Sequence, residues 1–188
     1  MKTYNLTAYT LILLVGTFVT AATAKAQSFS EAYTQEMDSI FAEAIPEYHV
    51  VNQGIIRGGR PQKGDLEFLK KQGVRTIINI DDVDTTGERE EANRLGIRFI
   101  GSPMSSFKKP KDEQVDKILA QLQDKSLMPI FIHCKHGQDR TGMIMGLYRF
   151  RVDKWSSKKA YAEMKQYGFH PILFPLDRYF KKKTGYSN

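Results

Sequence analysis

The stretch from Met128 to Phe150 constrains this chain more than any other. An apolar run, Ile130, Phe131 and Ile132, leads into the polar loop His133, Cys134, Lys135, His136, Gly137, Gln138, Asp139, Arg140 and Thr141. A second apolar run follows from Met143 to Phe150. The first run has the length of a buried strand and the second that of a buried helix. Strand, loop and helix start in that order gather backbone N–H groups and the positive end of a helix dipole around one small volume. Such a volume suits a phosphate-sized dianion. Arg140 adds a planar fork able to hold two phosphate oxygens at once, which a lysine could not do. Cys134 would lie at the bottom of the cradle. Electropositive surroundings lower a thiol's pKa to roughly 3.5–7.5, so the nucleophilic thiolate dominates at neutral pH. One cysteine in an apolar strand is more often inert packing. Here Lys135, His136, Gln138, Asp139 and Arg140 crowd the turn with polar groups that a core would exclude. The loop reads as the seat of a phosphate-attacking cysteine.

Cysteine, then arginine after five intervening residues, then Thr141 and Gly142, with His133 in front, resembles the signature loop of the cysteine-dependent protein tyrosine phosphatases. The short chain and the late loop are similar to the dual-specificity branch, above all to exported bacterial members and the atypical phosphatases of plants and fungi. The resemblance spans roughly Val50 to Tyr179. The full pattern argues against sulfur transferases of the rhodanese type and against arsenate reductases, which also seat a cysteine in an anion loop. It implies that Cys134 forms a cysteinyl-phosphate and that Arg140 holds the equatorial oxygens. His133, Lys135, His136, Gly137, Gln138, Asp139 and Thr141 complete the substrate-binding loop, with His133 ordering it and the Thr141 hydroxyl near the thiolate. The family draws a general acid from an aspartate upstream of the nucleophile. Asp112, just after the loop from Phe107 to Lys111, is the first choice, although an aspartate in a helix's first turn is ordinary dipole chemistry. Asp139 is the second and Asp82 the third. Neither metal nor cofactor is implied, since cysteine and arginine supply the nucleophile and the charge. The expected substrates are phosphotyrosine, phosphoserine and phosphothreonine on proteins. Lys135 and His136 at the mouth keep inositol phosphates or another small phosphate ester as the alternative, and an inactive phosphate-binding module stands behind both.

The remaining elements alternate. Tyr48 to Val51 and Gly54 to Arg60 suit short strands, with Arg57 and Arg60 either reaching an anion or solvated at the strand end. A helix is expected over Asp65 to Gln72, stopped by Gly73. Thr76 to Ile80 is a nearly continuous apolar run, as in a strand covered on both faces, and Asp81, Asp82 and Asp84 follow at its carboxyl end. Helices over Gly87 to Leu95, Lys111 to Asp124 and Thr141 to Arg151 are expected, with a strand at Ile97 to Ile100. Ser156 or Ser157 caps a further helix through Lys165. Gly168, Pro171 and Pro175 are expected to break the chain before a last helix, Leu176 to Lys183, whose Lys181, Lys182 and Lys183 read as a solvated end. The fold class is therefore α/β, a central, mostly parallel sheet flanked by helices. The resemblance implies the protein tyrosine phosphatase type of that fold, dual-specificity form.

The first 26 residues read as an export signal: Lys2, the apolar Leu11 to Val15 with Phe18 and Val19, and the A-x-A site Ala24, Lys25, Ala26. Cleavage after Ala26 would release residues 27–188 as one phosphatase domain with a helical extension over about 27–46. Within that extension Phe29, Tyr33, Met37, Ile40 and Phe41 recur at helical spacing. We expect an exported protein, periplasmic or secreted, with no stable membrane insertion after cleavage. The formal charge of +7 suits an anionic substrate. No zinc-type spacing or nucleic-acid motif is present, so nucleic acid is not expected as a partner. One cysteine permits no internal disulfide, and the fold must stand on its core.

Overall fold

A computed structural model describes residues 45–187 apart from Lys63 and Asp84. The expected signal segment and nearly all of the expected helical extension lie outside the described residues. The chain divides into Met1–Phe41 and Ala42–Asn188, and every described residue belongs to the second unit.

Among the described residues five strands form one sheet: β1 (His49–Asn52), β2 (Ile55–Gly58), β3 (Thr76–Asn79), β4 (Arg98–Gly101) and β5 (Ile130–His133). Their spatial order is β1-β2-β5-β3-β4. Only the edge pair β1–β2 is antiparallel; β5 lies parallel to β2 on one side and to β3 on the other. The register sets His133 beside Gly58 and beside Asn79. Three carboxyl ends therefore meet at one place, where open α/β sheets form their sites. Central β2, β3 and β5 are buried at every residue, which explains why their isoleucines and Phe131 do not alternate with exposed polar residues; Arg57, Thr76, Asn79 and His133 are buried with them.

Six helices complete the described part: α1 (Asp65–Lys71), α2 (Thr86–Arg94), α3 (Asp112–Gln121), α4 (Asp139–Arg151), α5 (Ser157–Gln166) and α6 (Phe174–Thr184). Ile55, Ile78, Ile130 and Ile132 share a core with Val115 and Ile118 of α3, Met143, Ile144 and Leu147 of α4, and Met164, Tyr179 and Phe180 of α5 and α6. Ile77 and Phe131 alternate with them on the strands and face the other side. Each fully buried Ile or Leu contributes about 1.5–3 kcal/mol. The α4 helix, packed by α5 and α6, is buried from Arg140 through Tyr148, as its all-round apolar sequence requires. Among the described residues no helix is long and apolar enough to cross a membrane.

Two expectations need correction. The α4 helix starts at Asp139 rather than Thr141, so Arg140 rises from its first turn. Pro175 does not break the chain before the last helix; it sits in that helix's first turn, where a missing N–H costs nothing. Of the two candidate caps, Ser156 accepts from the backbone N–H of Lys159 at 3.2 Å.

Candidate active site

The loop between β5 and α4 is held from below and from both sides. Gly137 adopts φ +79°, a conformation that glycine reaches without strain. A Cβ there would lie 2.6 Å from the backbone of both Gly58 and Gly59, so no side chain fits. Arg57 of β2 runs beneath the loop, 1% exposed, and its Nη2 donates to the Gly137 carbonyl at 2.7 Å. The backbone N–H of Arg60 donates to the Lys135 carbonyl at 3.1 Å. A trans peptide carries C=O and N–H on opposite edges, so these contacts turn the N–H groups of His136 and Gln138 to the other side of the loop. That arrangement suits a nest of amides closed by a helix N-terminus. Arg57 is therefore no solvated strand-end charge. Burial pulls its guanidinium below the usual arginine value, against the charges of Glu163 and Cys134.

Cys134 is 2% exposed and unbridged. Arg140, also buried, turns Nη1 to the Asp82 carboxylate at 2.6 Å and to the Met104 carbonyl at 3.0 Å, with Asp81 at 3.3 Å. Burial alone would lower the Arg140 guanidinium. The charges of Cys134, Asp82 and Asp81 outweigh it and hold the group above its ordinary value. Arginine and thiol thus share one electrostatic unit. Asp81 accepts from Arg60 as well, through Nε at 2.9 Å and through Nη2. Burial pushes the Asp81 carboxyl up, but Arg60 and Arg140 together hold it below the ordinary carboxylate range. The Thr141 hydroxyl is buried without a hydrogen-bond partner, and so is available to a thiolate or a ligand.

His133 is fully buried, with one ring nitrogen facing α2 and the other the loop. Nε2 lies 2.7 Å from Glu88 Oε1, and Nδ1 lies 3.4 Å from the Cys134 carbonyl. Glu88 also receives Asn79 Nδ2 at 2.6 Å, which ties β3, α2 and β5 into one chain of polar contacts. Glu88 and the loop-holding role of Arg57 are what sequence reasoning missed. Their partners are 45 and 80 residues away, beyond any spacing rule.

Lys135 and His136 stand exposed on the loop, while Gln138 donates to Glu47 at 3.0 Å. Asp139 accepts from the His170 backbone N–H at 2.8 Å and lies 3.1 Å from His170 Nδ1, which anchors the segment before α6. Asp112 is not brought into the loop's contacts. Its carboxylate accepts from Lys183 Nζ at 2.7 Å and Tyr179 Oη at 2.9 Å, and these bonds hold it below the ordinary carboxylate range. Of the three candidate acids, only Asp82 touches Arg140 through its side chain at hydrogen-bond distance.

A family model described as a DSP-PTPase phosphatase fused to NAD+ kinase matches residues 42–174. The chain belongs to that phosphatase family. Dual specificity protein phosphatase TpbA of Pseudomonas aeruginosa is 28% identical over 116 residues, which cover 61% of this chain and 51% of TpbA. Inositol diphosphatase DSP3 of Arabidopsis thaliana is 34% identical over 116 residues, covering 57% and 55% of the two chains. This member of the DSP-PTPase family thus spans about half the length of these curated relatives. Its fold superposes on the TpbA crystal structure with a TM-score of 0.64 at 24% identity, covering 73% of this chain and 84% of the crystallised TpbA chain. The sheet flanked by helices is the fold of the dual-specificity phosphatases.

Proposed function

We propose that this family member is a metal-independent phosphomonoesterase that removes phosphate from phosphotyrosine, and from phosphoserine and phosphothreonine, on proteins. The observation that carries this reading is geometric: buried Cys134 at the end of β5 and buried Arg140 in the first turn of α4 bound one loop, which Arg57 holds through the Gly137 carbonyl. The Cys134 thiolate attacks phosphorus in line as the ester P–O bond breaks, leaving a cysteinyl-phosphate. Water then cleaves the S–P bond, releasing phosphate and restoring the thiolate. Arg140 and the loop amides hold the equatorial oxygens, so positioning and electrostatics supply most of the rate. Asp82, 44% exposed and in contact with Arg140, is assigned the leaving-group proton in place of Asp112.

Support for protein substrates comes from TpbA, one of whose crystal structures holds phosphotyrosine. The exposed Lys135 and His136, with the plant relatives named inositol diphosphatases, support inositol phosphates as the second reading. The A-x-A site at Ala24 to Ala26 supports export with cleavage before Gln27. The test is hydrolysis of p-nitrophenyl phosphate in the presence of a chelator. Turnover by the unaltered protein and none by Cys134→Ser is expected. Substantial activity in the serine variant would overturn the cysteinyl-phosphate.

A further inference from the structure

A cleft of about 440 Å³ is lined by Lys109, Phe174, Pro175, Arg178, Tyr179 and Lys182. Two segments that frame it are fastened to the site. The one carrying Lys109 begins at Met104, whose carbonyl accepts from Arg140, and the one leading to Phe174 is anchored by His170 on Asp139. The cleft is apolar in its lining and cationic at its rim. Phe174 is 58% exposed, with the Arg178 guanidinium 5.8 Å from its ring centroid. Phe107 and Ile172, on the same two segments, are exposed at 78% and 75%.

The charges here are unequal. On α6, Lys181 pairs with Asp177 and Lys183 with Asp112. Among the described residues, Lys109, Arg178 and Lys182 form no ion pair. Asp112, the carboxylate on which Lys109 acts, is already bound by Lys183 and Tyr179. Three uncompensated cations over an exposed aromatic floor ask for carboxylates together with an apolar side chain. An inositol phosphate offers no apolar surface to bury.

We propose that this cleft docks an acidic segment of the phosphorylated protein, flanking the phosphoresidue and seating one apolar side chain on Phe174 and Pro175. The inference rests on the protein-phosphatase reading and names the class of substrate it prefers. Lys109, Arg178 and Lys182 would give specificity and a faster encounter rather than chemistry.

The test uses the full chain with Cys134→Ser and a fluorescein-labelled phosphotyrosyl peptide with Glu, Asp and Leu flanks, against the same peptide with Gln and Asn in place of the acids. Fluorescence anisotropy should show about tenfold tighter binding of the acidic peptide at low salt, the scale of a few exposed charge contacts. The preference should shrink as salt is raised. Lys109→Ala, Arg178→Ala and Lys182→Ala combined should erase it, while with Cys134 restored they leave p-nitrophenyl phosphate hydrolysis unchanged. Equal binding of the two peptides, or a preference that survives the triple change, would overturn the proposal. So would triple-variant loss of cosedimentation with phosphatidylglycerol vesicles while the peptide preference persists, since the patch would then serve a bilayer. Failure of the unaltered protein on p-nitrophenyl phosphate would remove the phosphatase reading, and the binding arm would still decide the docking.

Discussion

The carboxyl ends of β2, β3 and β5 and the outer rim near α6 both carry many charges, and they treat them in opposite ways. At the strand ends Arg57, Asp81, His133 and Arg140 are buried, and each is held by named partners. At the rim, Lys109, Arg178 and Lys182 are exposed around Phe174. A buried charge costs several kcal/mol unless it is paired, so the inner set must be fixed before substrate arrives. An exposed charge costs little and stays free to meet a partner. In the proposed reading the inner region holds the phosphate and the rim chooses what carries it.

Changes to the inner set should therefore be the severe ones. Arg140→Lys keeps the charge but loses the fork, and kcat/KM for p-nitrophenyl phosphate is expected to fall by about 10²–10³-fold, as when a charge-stabilising donor is removed. Near-normal turnover would make Arg140 structural only. Asp82→Asn sharpens the comparison at the boundary between the regions. Loss of a general acid costs about 10²–10⁴-fold with poor leaving groups. Alkyl phosphates should suffer far more than activated aryl phosphates, and the alkaline limb of the pH–rate profile should disappear. If Asp139→Asn or Asp112→Asn shows that pattern instead, the assignment to Asp82 is wrong.

Glu88→Gln tests a group that touches no substrate. Losing the carboxylate that orients His133 should lower kcat by about 10–100-fold, the scale of a lost orienting contact, with KM nearly unchanged. Glu88→Asp should restore part of the rate. An equal rise in KM would show that the loop itself had collapsed. The smallest effect belongs to Asp112→Asn. Its carboxyl sits below the ordinary range because Lys183 and Tyr179 bind it, so the stability it adds is present above the unfolded carboxylate pKa. That stability is lost as pH falls through the lower, folded value. A slightly reduced melting temperature at neutral pH, converging with the unaltered protein in acid, is expected, with turnover almost unchanged.

The order of strands and helices was legible because each element announces itself locally: the apolar runs of β3 and β5, the dense helix after Gly142, the glycine after α1. The loop was legible for the same reason, since Cys134 through Arg140 lie within one turn of chain. What was hidden depends on distance in sequence. Glu88 reads as one more acid on a polar helix, and nothing near it announces His133. Arg57 reads equally as an anion-reaching group or a solvated strand-end cation, because only the parallel pairing of β2 with β5 carries it under Gly137. Asp112 drew the acid's role through its position after a loop. Tyr179 and Lys183, which claim its carboxylate, come 67 and 71 residues later. Pro175 looked like a stop because a proline signals either a break or a first turn, and the sequence does not say which.

The contact of Gly137 with Gly58 and Gly59 has a consequence for how the molecule breathes. With backbone against backbone and no side chain between, neither segment can lift without clearing the other. The amide proton of Arg60, bonded across this contact to the Lys135 carbonyl, would become accessible only when the two segments part. In deuterium-labelling profiles, that proton should exchange at the rate at which the segments part, and the His136 and Gln138 amides, turned to the other side of the loop, should exchange ahead of it.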